Sequence, residues 1–355
     1  MVAIPETVSS QLRAMKRIGI FPFNYANRGL SISIVHLILA AAVHFSSSAV
    51  QLCLYFSPER QRTLVTVFRR SLIYGMSFPL LVLKFCWFYK HCTAKNSLEM
   101  CFSNICSAAA FIKISPDRPL NTVLIPVFIS LPIYIGCIFY YSNIVGLVGA
   151  VRFVNWFAQI VFICSVVLPF YHCSKLIDRY LASACYQIVA DSSRMAVTFE
   201  RTIVAYEKLY DAKEHLLDFY GSQILGVVVQ CFISVTADWF FVMLNSDLRE
   251  ANATNLISLH GIILTYFLFT VVHTCETVKK RAEKFSKLIS TYALQDTTGQ
   301  LLRNPYIRMH FACKKKLKFN VCGCFDVDYG LGCSMVAACV TYLVILVQID
   351  QSKQQ

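Results

Sequence analysis

Seven long stretches of this chain are nearly free of charged side chains. They cover residues 29–58, 71–89, 119–151, 153–174, 219–246, 251–275 and 329–349, interrupted only by Lys84 and Asp238. Each is long enough to cross a bilayer as a helix, which takes about 20 residues. Only 15% of all residues are charged, against roughly 25% in soluble domains. Because lipid cannot satisfy free backbone groups, these stretches predict an all-α bundle of seven transmembrane helices.

The 33 lysine and arginine residues are distributed unevenly between the two sides of such a bundle. Most of them lie in residues 1–30, 90–118, 175–218 and 279–325, all on the side of the N-terminus. The positive-inside rule therefore predicts a cytoplasmic N-terminus and, after seven crossings, an extracellular C-terminus. The net charge of +13 is then a signal of membrane orientation, and no nucleic-acid partner is expected.

The membrane windows divide the chain into five consecutive parts. These are a cytoplasmic N-terminal segment (1–30), a six-helix bundle (31–275), a cytoplasmic anchor (276–328), a last membrane helix (329–349) and an extracellular tail (350–355). Within the bundle, residues 175–218 are too long for an ordinary loop, and apolar residues recur there at helical spacing. They are Leu209, Ala212, Leu216 and Phe219. The fourth and fifth membrane helices are therefore predicted to continue into the cytoplasm.

The few polar residues of the last membrane helix form a pattern. Ser334, Thr341 and Gln348 are spaced by seven residues, so on a helix they fall within about 20° per heptad of one stripe. A regular polar line on an apolar helix indicates a face kept near water and is a candidate pore wall. The alternative is that these side chains bind a neighbouring helix by hydrogen bonds.

The same helix carries a resemblance to a known family. Residues 341–348, Thr-Tyr-Leu-Val-Ile-Leu-Val-Gln, resemble the C-terminal signature of insect gustatory receptors, in which Thr-Tyr, five mostly apolar residues and Gln-Phe follow one another. Residues 319–325 are similar to the family's Phe-x-Ala-x-Gly-x-Phe run, and residues 19–22 resemble its short N-terminal motif. Ile349 stands where the signature has Phe, and the related odorant co-receptors also have an aliphatic residue there.

The resemblance implies a function and an assembly. It implies a ligand-gated, non-selective cation channel in the plasma membrane of sensory neurons, in their dendrites, cell bodies and axons. Four copies would surround an axis, either as a homo-tetramer or as a hetero-tetramer with other gustatory receptors. The expected partners are a small-molecule tastant, the permeating cations and membrane lipid. No cofactor, metal or enzymatic activity is expected.

In such a tetramer the last helix would line the pore. Ile345 would form an apolar constriction that gates by dewetting, and Gln348 would offer amide oxygens to a cation. Ser334 and Thr341 would complete the pore face, with Tyr342 packed behind it. Asp350 would place negative charge at the outer mouth, and its alternative role is an interfacial anchor.

A ligand pocket is expected in the outer half of the other helices. The candidate residues are Tyr74, Tyr140, Trp156, Gln159, Asp238, Trp239, His260 and Tyr266. For the aromatic residues the alternative is an interfacial belt. Asp238 is the strongest candidate, because an ionisable residue inside a membrane span is costly and by default functional. Its alternative is a buried pair with His260 or Arg249.

Asn252 begins an Asn-Ala-Thr sequon in a loop that the predicted topology places outside, so glycosylation is expected there.

Three functions are alternatives to a channel: a seven-helix receptor signalling through a G protein, a non-conducting auxiliary subunit of a chemoreceptor complex, and a transporter or membrane enzyme. The predicted cytoplasmic N-terminus is opposite to that of a G-protein-coupled receptor. A transporter is disfavoured because the sequence shows neither paired intramembrane carboxylates nor an inverted repeat.

Overall fold

The computed structural model describes residues 23–26, 29–35, 37–38, 41–42, 45, 77–112, 147–190, 195–244, 251–297, 299–313 and 315–352. Most of these residues are helical, so the predicted all-α membrane fold is confirmed. The helices are α1 (Ser77–Thr93), α2 (Lys95–Phe111), α3 (Leu147–Ala190), α4 (Met195–Leu244), α5 (Ala251–Gln295), α6 (Gln300–Arg303), α7 (Pro305–Cys313) and α8 (Tyr329–Ser352). Two antiparallel hairpins join β1 (Phe23–Ala26) to β2 (Gly29–Ile32) and β3 (Asn320–Val321) to β4 (Phe325–Asp326).

Four of the described helices are long and apolar enough to cross a membrane. The stretches are Trp156–Ala190 in α3, Val197–Met243 in α4, Ile257–Gln295 in α5 and Tyr329–Ile349 in α8. They correspond to the fourth to seventh predicted windows. Helix α1 overlaps the second window. Much of the first window and most of the third lie outside the described residues.

Helix α4 lies at the centre of the bundle. It packs against α1, α2, α3, α5, α7 and α8. The apolar stripe noted in its sequence is fully buried, from Leu209 to Phe219. Helices α3 and α4 are continuous through most of residues 175–218, so one set of helices forms both the membrane bundle and its extension.

Outside the uncharged windows of the sequence, α4, α5 and α7 pack through aromatic rings. The rings of Tyr206 and Phe285 stack in parallel with centroids 4.9 Å apart, and His310 meets Tyr206 edge-on at 5.1 Å. Lys315 forms an ion pair with Glu207, and the hydroxyl of Tyr206 donates to the carbonyl of Lys315 at 3.1 Å. These contacts tie the segment before α8 to the long helices.

Two local predictions are wrong. The first window began at residue 29, but residues 29–32 form strand β2, with Ile32 opposite Phe23. An uncharged window indicates low polarity, but it does not show the 3.6-residue periodicity that distinguishes a helix from a strand. Gly29 also disfavours a helix. Asn252 was predicted in an outer loop, but it lies in the first turn of α5, which begins at Ala251. Small polar residues such as Asn and Thr are common where helices start.

Candidate functional site

Asp238 and His260, two of the predicted ligand-site residues, form a buried pair between α4 and α5. Nδ1 of His260 lies 2.8 Å from Oδ2 of Asp238, and the exposed fractions of the two residues are 2% and 4%, respectively. The helices pack closely here, since a Cβ atom at Gly261 of α5 would be in van der Waals contact with Asp238 of α4, 3.4 Å from its Cβ. An ionisable group in a membrane interior needs such a partner. The pairing with His260, left open as an alternative for Asp238, is therefore present.

Helix α3 completes a polar cluster around this pair. The ring of Trp156 stacks on the ring of His260, with centroids 5.7 Å apart and planes 20° apart. One turn along α3, the amide of Gln159 donates to the hydroxyl of Ser234 at 3.1 Å. Gln230 donates to the same hydroxyl at 2.9 Å. We call these residues the polar cluster: Trp156, Gln159, Gln230, Ser234, Asp238 and His260.

Two atoms of the polar cluster have no hydrogen-bond partner among the described residues. They are Nε2 of His260 and Oε1 of Gln230, and both are buried. Leaving a buried polar atom unsatisfied costs about 1–3 kcal/mol, so such atoms in a native structure require an explanation. A ligand that reaches them would recover that free energy on binding.

The protonation of the pair determines what Nε2 of His260 can bind. Nδ1 faces Asp238, so Nε2 is the ring nitrogen left for a ligand. Nε2 donates a hydrogen bond when it carries a hydrogen, and it accepts one when Nδ1 carries the hydrogen of the neutral ring. The pair therefore suits a ligand with one polar group, such as a hydroxyl, that can take either role.

The other predicted ligand residues do not join the polar cluster. Trp239 follows Asp238 on α4 but is 38% exposed, although its indole edge lies near Gly261. Tyr266 is half-buried nearly two turns further along α5 and packs on the hydrophobic core. Tyr74 and Tyr140 lie outside the described residues, as does the side chain of Asn252.

One side of α8 packs against the bundle. Met335 is buried in this contact. The ring of Tyr342 meets Phe232 of α4 edge-on at 5.9 Å, and the hydroxyl of Thr236 lies 3.2 Å from the sulfur of Cys339. Only 6% of the apolar window of α8 is buried, so the membrane part of this helix is held by few contacts within its own chain.

The predicted pore residues lie on an exposed side of α8. Ser334, Thr341, Ile345 and Gln348 are all exposed. At about 100° per residue they point roughly 80–140° away from buried Met335. Val336, Val340 and Val344 are also exposed and point to the other flank. The exposed side of α8 is therefore divided into a polar flank and an apolar flank, while the side chain of Asp350 lies outside the described residues.

The hydroxyl groups of the polar flank are oriented by the helix itself. Ser334 donates to the carbonyl of Gly330 at 2.9 Å, and Thr341 donates to that of Ala337 at 3.0 Å. Each hydroxyl hydrogen is therefore used within the helix. The oxygen lone pairs remain available on the outer side, where they can accept hydrogen bonds or face a hydrated cation.

Three residues of this arrangement, Gln230, Ser234 and Thr236, are not among the predicted site residues. Gln230 and Ser234 precede Asp238 at steps of four residues, and this polar i, i+4, i+8 series on an apolar helix was a usable signal. Thr236, which contacts α8, does not stand out in the sequence, because threonine hydroxyls in membrane helices commonly donate to a backbone carbonyl of their own helix. The hydroxyl of Thr236 makes such a hydrogen bond to the carbonyl of Phe232 at 2.8 Å.

Comparison with known proteins supports the resemblance noted in the sequence. Residues 200–353 match the family model described as the 7tm chemosensory receptor. The gustatory receptor for bitter taste 22e of Drosophila melanogaster is 21% identical over 179 residues, which cover 49% of this chain and 46% of that protein. In this match the chain thus spans about half the length of its curated relative. The predicted resemblance to insect gustatory receptors is confirmed.

The fold is also found among solved structures. The insect olfactory receptor OR5 from Machilis hrabei superimposes with a TM-score of 0.64 at 13% identity, covering 97% of this chain and 100% of that one. The same receptor in complex with eugenol gives a TM-score of 0.52 over the same shares of the two chains. At this identity the likeness is one of fold, and it identifies this chain as a multi-pass helical membrane protein.

Proposed function

We propose that this chain, related to the insect gustatory and olfactory receptors, is a gustatory receptor subunit that forms a ligand-gated, non-selective cation channel. The observation that carries the proposal is the division of α8 into a side packed on its own bundle and an exposed side whose one flank carries Ser334, Thr341 and Gln348. A helix that faced only lipid would gain nothing from exposing Ser334, Thr341 and Gln348.

In a tetramer, the polar flanks of four α8 helices would line a water-filled pore on the axis. The polar flank would face the axis, and the valine flank would pack against the neighbouring subunit. Ile345 would form the constriction that closes by dewetting, and the amide of Gln348 would contact permeating cations. Asp350 would enrich cations at the outer mouth. The channel would reside in the plasma membrane of sensory neurons, with its N-terminus in the cytoplasm.

The polar cluster is proposed as the tastant site. Nε2 of His260, which has no hydrogen-bond partner among the described residues, and the ring of Trp156 suit a compact neutral molecule with an apolar or aromatic body and one polar group. Two comparisons support a ligand of this kind: the relative is a receptor for bitter taste, and the structural neighbour was solved with eugenol. The proposal favours a bitter plant compound over a sugar, whose many hydroxyls would need more polar partners.

Whole-cell recording from cells that express the chain tests this function. Currents evoked by a panel of bitter compounds are expected to reverse near zero in mixed monovalent salts. Gln348→Ala should change the permeability ratio of large to small monovalent cations, whereas Val336→Ala, on the apolar flank, should leave it unchanged. Identical permeability ratios in Gln348→Ala and wild type, at equal surface expression, would contradict the proposed pore face.

A further inference from the structure

Helix α8 is fixed at its start and loosely held along its length. Two consecutive residues make the fixing contacts, both to α5. The carboxylate of Asp328 lies 3.1 Å from Nζ of Lys279, and the hydroxyl of Tyr329 lies 2.7 Å from Nδ1 of His273. Lys280 also lies over the ring of Tyr329, 5.0 Å from its centroid. The membrane part of α8 beyond this point has few contacts within the chain.

The contacts at the start of α8 support one another. Lys279 is shared between Asp328 and Glu276, the latter at 3.5 Å, and Glu276 also pairs with Lys280 at 3.6 Å. His273 stacks on Phe269, one turn earlier in α5, with ring planes 15° apart. Each group that holds α8 is therefore itself oriented by a second contact on α5.

Asp328 also caps α8. Its carboxylate accepts a hydrogen bond from the backbone N–H of Leu331 at 3.2 Å. Burial alone would raise the pKa of Asp328, but the bonds from Lys279 and Leu331 outweigh it, so the pKa lies below its ordinary value. Gly330 leaves room for this arrangement, because a Cβ atom there would lie 3.1 Å from the same oxygen. One carboxylate thus joins the first turn of α8 to α5.

Helix α5 connects these contacts to the polar cluster. It is continuous from Ala251 to Gln295 and carries His260 near one end and His273 thirteen positions later. At 1.5 Å per residue the two histidines are about 20 Å apart along one rigid helix. A displacement of α5 at the polar cluster therefore also moves the residues that hold the start of α8.

We propose that Asp328 and Tyr329 are positioning residues that lock the start of α8 to α5 and hold the channel closed without ligand. This proposal rests on the proposed channel function. Gly330 and Gly332, which follow the lock, allow the membrane part of α8 to swing about it. When ligand binding shifts α5, the lock carries that shift to the pore helix. Loosening the lock removes the restraint on α8 and favours the open pore.

The decisive variants remove one contact each. Tyr329→Phe deletes only the oxygen that contacts His273 and keeps the ring under Lys280. Asp328→Asn weakens the ion pair with Lys279. Each should raise the ligand-free cation current per surface channel by about two- to tenfold, the range expected when one hydrogen bond or ion pair no longer favours the closed state. Tyr186→Phe, an exposed tyrosine on α3, is the matched control and should leave the current unchanged.

A double-mutant cycle separates a lock from a merely structural contact. His273→Phe keeps a ring beside Phe269 but removes the nitrogen that contacts Tyr329, so Tyr329→Phe combined with His273→Phe should be no leakier than either single variant. If Asp328→Asn does not reach the surface, Tyr329→Phe alone decides. Wild-type ligand-free current in Tyr329→Phe at normal surface density would overturn the proposal, as would a double variant whose increase in current is the product of the two single increases.

A third variant distinguishes failure of the lock from failure of the channel. Ile345→Ala removes the proposed constriction and should conduct without ligand whatever the state of the lock. If Ile345→Ala conducts and Tyr329→Phe does not, the lock is wrong and the channel stands. If Ile345→Ala is also silent at normal surface density, the channel function fails and the lock fails with it.

Discussion

Thr236 and Asp238 lie two residues apart on α4 and contact different partners on opposite faces of that helix. The hydroxyl of Thr236 lies 3.2 Å from Cys339 of α8, whereas the carboxylate of Asp238 bonds His260 of α5. The proposed tastant site and the proposed pore helix therefore contact opposite faces of the same turn of α4. A ligand that binds the open arrangement of this turn more tightly than the closed one would shift the pore equilibrium.

Asp238→Asn should weaken the response to bitter compounds. The substitution preserves the shape of the side chain but removes the carboxylate that contacts Nδ1 of His260 and orients its ring. We expect the ligand concentration for half-maximal current to rise by about tenfold, in line with the loss of one charge-assisted hydrogen bond. Concentration–response curves at matched surface density measure this. Asp218→Asn, at an exposed position on α4, is the control, and a full response in Asp238→Asn would remove Asp238 from the site.

Thr236→Val should separate binding from opening. Valine matches threonine in shape but removes the oxygen next to Cys339, on the side of α4 that faces away from the polar cluster. The maximal current at saturating ligand should therefore change by about two- to tenfold, while direct ligand binding stays the same. Thr291→Val, at an exposed position near the C-terminal end of α5, should change neither quantity. Weaker ligand binding in Thr236→Val would show that this residue belongs to the site and not to the coupling path.

Gly261 should tolerate a methyl group but not a larger side chain. A Cβ atom would make ordinary contacts at 3.4 Å with Cβ of Asp238 and at 3.5 Å with its Oδ2. Gly261→Ala is therefore expected to reach the surface at a reduced level, and Gly261→Leu should fail to assemble because its branches would force α4 and α5 apart. Fluorescence-detected size-exclusion chromatography compares the two variants. Normal assembly of Gly261→Leu would show that these helices do not pack as closely as described.

His310 should make the contacts among α4, α5 and α7 sensitive to acid. Burial next to Tyr206 and Phe285 lowers the pKa of His310 below its ordinary value of 6.5, and the charge of Glu207 only partly opposes this. Because the folded form binds the proton less well than the unfolded form, His310 adds no penalty above about pH 6.5 and reduces stability as the pH falls below it.

His310→Phe tests this effect, since phenylalanine fills the same apolar surroundings and cannot be protonated. The purified wild-type protein should lose more thermal stability between pH 7.5 and pH 5.5 than His310→Phe does. His215→Phe, which alters a partly exposed histidine, is the control. Equal losses in wild type and His310→Phe would contradict the assignment.

The sequence predicted the helices and faces better than the contacts between helices. Uncharged windows located the spans in α3, α4, α5 and α8, and the heptad spacing of Ser334, Thr341 and Gln348 identified a flank that is exposed in the structure. Helical periodicity specifies which side of a helix a residue occupies but not which helix lies opposite. For this reason the sequence leaves His260 and Arg249 as two possible partners of Asp238, and it does not predict the contact of Thr236 with α8.

The lock at the start of α8 depends on long-range geometry. Tyr329 and His273 are 56 positions apart, and nothing in the residues around either one indicates the other. The same holds for Lys315 and Glu207, which meet because α4 extends more than ten residues before its uncharged window at 219–246. Such contacts between distant segments require the packed structure.

The most direct test of the central claim is cysteine accessibility along α8. In a background with Cys333 and Cys339 changed to serine, single cysteines are introduced at Ser334, Thr341 and Gln348 on the polar flank and at Val336 and Val340 on the apolar flank. A charged, membrane-impermeant thiol reagent, applied to open channels, should block the current through the first three variants and leave the last two unaffected. Block through the valine positions with none at the polar positions would contradict a pore lined by this flank.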